Sequence, residues 1–267
     1  MKTVKDILSV IRARSPFSAA MDWDNVGLLV GDEDHRVRRI HVALDATDEA
    51  IRHAADARAD LLVTHHPMLF APLKKVVADD FIGRRVIAMI SHDMSYIAMH
   101  TNYDIFGMAE LAAEKMALFE TEPLDPIEVP EYPEGASGAC GIGRVGRLHA
   151  ACTLSELAAQ VKGVFGLTHV QYFGDSDVHV ERAAICPGSG KSEIEAALRR
   201  GADVLITGDI DHHSGMDAVA RGLCIIDAGH YGIEYIFIED MASYFREALG
   251  EEVEVTEEPI SWPIHFS

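Results

Sequence analysis

The chain has few cysteines, and no two of them are close together. Cys140, Cys152, Cys186 and Cys224 are the only four in 267 residues, and none stands in a C-x-x-C pair. That spacing excludes a zinc ribbon and a dithiol redox motif, and it suits buried thiols in a reducing compartment. Long apolar runs are also missing, so no stretch reads as a membrane span. The first residues, Met1-Lys-Thr-Val-Lys-Asp-Ile-Leu8, carry interspersed charges and lack the apolar core of a secretory signal, which makes the cytoplasm the expected location. Basic residues are scarce: 23 Lys and Arg face 43 Asp and Glu, for a net charge of −20. This balance argues against a nucleic-acid backbone or an anionic membrane as a partner. No Ser-His-Asp or Cys-His signature announces a protein nucleophile.

What remains is ordinary globular material, 48% hydrophobic and 25% charged, long enough for one large or two small domains. Its centre of interest is Asp60-Leu-Leu-Val-Thr-His65-His66-Pro67. The short, uninterrupted apolar run reads as a buried parallel strand, and Pro67 stops it. The two imidazoles therefore sit at the carboxyl end of a strand, where open α/β sheets place their ligand crevices. A histidine pair in a chain with 14 histidines is also what chance produces in a loop, so the reading depends on the other segments.

Val4, Ile7, Leu8 and Ile11 predict an amphipathic opening helix that ends at Pro16. Trp23-Asp-Asn-Val-Gly-Leu28 is a polar turn entering a short strand. Ile40–Leu44 is a further strand, Thr47 the N-cap of a helix, Ile82–Ile90 another helix, and Ser95–Met99 a strand delivering His100-Thr-Asn-Tyr-Asp104. This alternation predicts a parallel sheet with right-handed crossovers, whose neighbouring strands end in His65/His66 and His100/Asp104. The segment 121–138, with four prolines, reads as a surface connection. The expected organisation is a first α/β half over 1–122, a Pro-rich connection over 123–138 and a second half over 139–267.

Thr153-Leu-Ser-Glu156 and Ser192-Glu-Ile-Glu195 carry capping-box patterns. Laying 40–66 on 183–209 without a gap places Asp60-Leu-Leu-Val-Thr64 on Asp203-Val-Leu-Ile-Thr207, which points to an internal duplication. The fold class expected is thus α/β, two related halves with mostly parallel sheets flanked by helices. The second half contributes Thr207-Gly-Asp-Ile-Asp-His212-His213 and Asp227-Ala-Gly-His230-Tyr-Gly-Ile-Glu234. If Gly229 opens a helix, His230 and Glu234, four apart, share one face. Histidines and carboxylates without cysteine suit zinc, manganese or iron(II).

Taken in order, Trp23-Asp-Asn-Val-Gly-Leu28, Thr64-His-His-Pro67, His100-Thr-Asn-Tyr-Asp104, Thr207-Gly-Asp-Ile210 and Asp227-Ala-Gly-His230 with Glu234 resemble the motifs of the NIF-three-like family. Its members are often called GTP cyclohydrolase I type 2 homologues. The resemblance spans essentially the whole chain and corresponds to the short form, without an inserted domain. It implies two divalent metal ions held by His65, His66, Asp104 and His230, with Glu234 shared between them. It also implies a ring-like homohexamer. The function expected is a dinuclear metal-dependent hydrolase using a metal-bridging hydroxide on a small-molecule substrate, a nucleotide or phosphoester. The competing reading is a non-catalytic metal-binding or regulatory ring.

His100 is read as a hydrogen-bonding or proton-transferring neighbour of the ligands or as a structural residue. Asp24 and Asn25 either face the crevice or make only a turn, and His212-His213 reads as solvated surface. Cys186-Pro-Gly-Ser-Gly190-Lys-Ser192 mimics a phosphate-binding loop, but Ile185 stands where that pattern needs glycine. The helix start with Lys191 retains the option of holding an anion.

Overall fold

The computed structural model describes residues 1–133 and 138–264. The chain forms two compact units, the first mainly Met1–Tyr103 with Phe237–Ser261, the second mainly Asp104–Val129 with residues 138–236.

The first unit is built on Leu61–Thr64, a strand with all four side chains buried. It pairs in parallel with Arg39–Ala43 on one side and Ser95–Ala98 on the other. Gly27–Val30 closes one edge antiparallel to Ser95–Ala98, and Glu254–Glu257 adds in parallel at the opposite edge. Helix Asp48–Asp56 starts where Thr47 accepts the Ala50 amide, with Asp48 and Glu49 in the first turn favouring the positive helix end. Its Ala50, Ile51 and Ala54 pack with Leu62, Met89 and Tyr96 in one core. The opening helix, Val4–Arg14, begins with a complete Thr3/Asp6 capping box and buries Val4, Ile7 and Ile11.

The second unit holds a six-stranded sheet in the order Phe119–Ile127, Cys140–Thr153, His179–Ser189, Val204–Gly208, Cys224–Asp227, Gln171–Phe173. Only the central three strands run parallel; the flanking pairings are antiparallel. The sheet is therefore mixed rather than mostly parallel.

The internal duplication is visible in the backbone. Ile40 pairs with Leu61 and Val42 with Val63; 143 residues later, Ala183 pairs with Val204 and Ile185 with Ile206. Asp60 accepts the Arg38 and Arg39 amides at 2.7 and 2.9 Å, and Asp203 accepts those of Glu181 and Arg182 at 2.8 and 2.9 Å. The Arg39 side chain donates to the Ala57 carbonyl, and that of Arg182 to the Arg200 carbonyl. Each unit thus uses one aspartate to start a strand and one arginine to end the preceding helix.

Three segments differ from the sequence reading. Phe119–Ile127, expected largely as connection, is a strand paired with Cys140–Thr153. It lies at a sheet edge, where Pro123 and Pro126 need not donate to a further strand. Of the expected connection, residues 134–137 lie outside the described residues. Helix Ile236–Leu249 and strand Glu254–Glu257, placed with the second half by sequence, fall mainly in the first unit, where the open edge of Arg39–Ala43 takes the final strand. Ser192 does not cap a helix: Gly190–Glu193 forms a 3-10 turn leading into Ile194–Arg199, and the Glu195 carboxylate pairs with Arg221 instead.

The final strand is secured by buried His41, whose Nδ1 meets Thr256 at 2.9 Å and whose Nε2 meets Glu258 at 3.0 Å. His53 Nδ1 reaches the same carboxylate at 3.0 Å. Burial opposes ionisation of Glu258, but these histidine bonds outweigh it and hold its carboxyl below the usual range. A lowered folded-state pKa contributes stability above the unfolded value and loses it as pH falls through the folded value. The urea midpoint is expected to drop between pH 5.5 and 3.5, and Glu258→Gln to start lower yet lose less over that interval. An equal loss in both proteins removes Glu258 from the account. Asp60→Ala and Asp203→Ala each leave two backbone donors without their acceptor and should cost about 1–3 kcal/mol in urea unfolding.

Candidate metal centre

Three histidines of the first unit converge at adjacent strand ends. His65 and His66 follow Leu61–Thr64, and His100 follows Ser95–Ala98, whose Ala98 pairs with Thr64. One ring nitrogen from each lies within 4.8 Å of the others. Their turn is fixed from beneath by buried Tyr96. Its hydroxyl donates to the His66 carbonyl at 3.0 Å and accepts the Met68 amide at 2.9 Å. Burial raises the Tyr96 pKa to about 12, so the phenol stays protonated and keeps its donor.

Each ring is oriented through Nδ1. His65 meets the Met99 carbonyl at 2.8 Å, His66 the Asp45 carboxylate at 2.8 Å, and His100 the Asp24 carboxylate at 2.9 Å. An oxygen acceptor at Nδ1 places the proton there in the neutral ring and the lone pair on Nε2. Asp24 also accepts the amide and hydroxyl of Thr101, at 3.0 and 2.6 Å. Burial would raise its pKa, yet these bonds from His100 and Thr101 prevail and bring it down to about 2. Asp24 is therefore a carboxylate that orients His100, and Asn25 ties the same turn to the Leu69 carbonyl.

The second unit assembles a matching group. His230–Glu234 is a single helical turn entered through Gly229 at φ 75°, a conformation that favours glycine. His230 Nε2 lies 2.9 Å from Glu234 Oε2, and its Nδ1 lies 2.7 Å from Asp209 Oδ2. Asp209 itself holds φ +58°, a sparsely populated conformation that concentrates at functional sites. Asp227 secures both loops, accepting the Ile210 amide at 3.0 Å and the Gly229 amide at 2.9 Å. Asp104 begins a π-helical segment, Asp104–Met108, of the kind that often marks functional positions. Its carboxylate comes within 4.8 Å of that of the buried Glu234. The buried Cys186 thiol is pushed well above its ordinary pKa, first by burial and then by the charges of Glu193, Asp104 and Glu234.

All five residues inferred from sequence thus lie in one of two groups, and the first group adds His100. The chemistry fits a divalent cation: oriented imidazoles, hard carboxylate oxygens, and two carboxylates close enough to repel without a cation. His212 and His213 are exposed at a helix start, apart from these groups, and Lys191 is engaged by Asp211 at 2.8 Å. Sequence reasoning missed the orienting roles of Asp45 and Asp209. Their signal was available, because each lies just beyond a strand whose neighbour carries a histidine.

An α/β protein with clustered imidazoles and carboxylates at its strand ends is a candidate metal protein by fold and site. The chain belongs to the Duf34/NIF3 (NGG1p interacting factor 3) family, whose model matches residues 2–261. A Clostridium perfringens relative called GTP cyclohydrolase 1 type 2 homolog is 32% identical over 94% of both chains. A solved Bacillus cereus protein related to NIF3 superposes with a TM-score of 0.89 at 23% identity, covering 99% of each chain. A solved Staphylococcus aureus protein gives the same TM-score at 28% identity and the same coverage.

Gly188, at φ 79°, is the space that admits the Glu234 carboxylate: a Cβ there would run into Oε1. Gly188→Ala is expected to lower stability by about 1–2 kcal/mol from backbone strain alone. It should also displace Glu234, seen as weakened divalent-ion binding in calorimetry. Unchanged stability and unchanged ion affinity would contradict this packing.

Proposed function

We propose that the chain is a dinuclear metal-dependent hydrolase acting on a nucleotide or phosphoester. In this reading His65, His66, Asp104, His230 and Glu234 hold two divalent ions, zinc, manganese or iron, with Glu234 shared. The observation that carries it is the common Nδ1 tether on His65, His66 and His230, through Met99, Asp45 and Asp209. Metal-ligating histidines characteristically donate their other ring N–H to an oxygen in this way. The name borne by the Clostridium perfringens relative supports a nucleotide substrate. When bound, such ions supply Lewis acidity and a nucleophile at neutral pH, so no serine or cysteine is required. The chain's own residues orient, exclude water and manage protons. His65 is fully buried and shields one side of its group. His100, held by Asp24 beside His65 and His66, is placed to take or return a proton at Nε2. From the family resemblance we also propose that the chain assembles as a ring-like homohexamer.

Metal content per chain, measured by mass spectrometry after dialysis and reloading with manganese, zinc or iron(II), tests the centre. Close to two ions in wild type and a sharp fall in Glu234→Ala, with unchanged circular dichroism, is the expected result. No retained ion in wild type would sink both the ligand assignment and the hydrolase reading. Asp209→Asn keeps the shape of the tether but not its charge, and should weaken ion affinity about 10–100-fold. Light scattering on the purified protein checks the six-fold assembly.

A further inference from the structure

Beside His100 stand two of the more exposed aromatic rings of the molecule. Trp23 is 57% exposed and Phe70 54%. Their centroids are 5.9 Å apart with the planes tilted by 35°, and each meets the His100 ring nearly edge-on, at 6.0 and 6.4 Å. The backbone on either side does not depend on those rings for its position. Trp23 precedes Asp24, whose side chain is shielded and bonded to His100 and Thr101; Phe70 follows Leu69, whose carbonyl takes the Asn25 amide. Two large rings left in water on an anchored frame forgo burial that the fold could have used. Past Phe70 the chain runs exposed through Leu73-Lys74-Lys75-Val76. Neither lysine makes an ion pair among the described residues, in a protein whose net charge is −20.

We propose that Trp23 and Phe70 form a stacking platform for the planar heteroaromatic ring of a nucleotide, whose phosphate is met by Lys74 and Lys75. The proposal rests on the hydrolase reading in so far as the platform borders the imidazole group. It adds what that reading lacks, a place for the ring. Aromatic faces hold a base with little regard to its identity, so the platform selects for a planar ring rather than for one base. The edge of His100 marks the side from which the bound ring approaches the imidazoles. The lysines supply exposed point charges suited to phosphate.

The chain has two tryptophans, so Trp262→Phe leaves Trp23 as the sole indole. Its emission is titrated in the metal-free protein with GMP and, as a control lacking the base, ribose 5-phosphate. Saturable quenching by GMP is expected, with ribose 5-phosphate binding at least about tenfold more weakly. Phe70→Ala should weaken GMP about tenfold, in line with the loss of one stacking face. The double variant Lys74→Ala/Lys75→Ala should weaken both ligands. Absence of quenching by GMP in a protein that still loads metal overturns the platform and leaves the metal centre standing. Quenching in a protein that takes up no metal supports the platform and removes the hydrolase reading. If Phe70→Ala changes the mass by light scattering while GMP affinity is untouched, the rings are a contact between copies and the platform is overturned.

Discussion

An imidazole at a strand end is useful only if its free rotation is stopped, and here an oxygen at Nδ1 stops it. The Met99 carbonyl serves His65, Asp45 serves His66, Asp24 serves His100 and Asp209 serves His230. Each bond fixes the ring plane and leaves Nε2 as the presented atom, which on His230 faces the Glu234 carboxylate. The rest of the structure can be followed backwards from these four bonds. Met99 is in reach because its amide bonds to the Thr64 carbonyl, extending the parallel pairing by one residue. Asp24 is held in place by Thr101, and Tyr96 shapes the turn at His66 and Met68.

The tethers need strand ends side by side, and parallel pairing provides them. In the first unit Ala43, Thr64 and Ala98 lie in register, so the residues that follow them leave the sheet together. In the second, Thr207 and Asp227 do the same. A one-residue slip would turn each of these side chains to the other face. The apolar, β-branched character of Leu61–Thr64 and Val204–Gly208, buried on both faces, is what resists that slip.

This logic was largely legible in the sequence. The strand–helix–strand alternation, the Thr47 and Thr153 caps and the repeat are all properties of short windows or of their spacing, whereas the set of five candidate ligands came from the family resemblance. What escaped depends on distant partners. Nothing local to Glu254–Glu257 says that it will pair with Arg39–Ala43, more than 200 residues earlier. Pro123 and Pro126 argue for a loop until an edge position makes their missing donors harmless. Ser192 and Glu195 satisfy a capping pattern, but Arg221, arriving from another helix, takes the carboxylate.

The duplication also explains why the two groups of side chains are not copies of one another. Under the 143-residue shift, Asp45 corresponds to Gly188 and His66 to Asp209. In the first unit the earlier position supplies the carboxylate and the later one the imidazole it orients. In the second unit the later position has become the carboxylate, and the imidazole it orients is His230, brought in by the following helical turn. The earlier position no longer needs a side chain, and its glycine leaves the room that Glu234 fills. One backbone frame thus produces a histidine-rich face and a carboxylate-bearing face by exchanging which slot holds the orienting group. The backbone bonds that set the register, such as that from the His66 amide to the Leu44 carbonyl, do not involve these side chains, so a substitution at such a position alters the chemistry without disturbing the register.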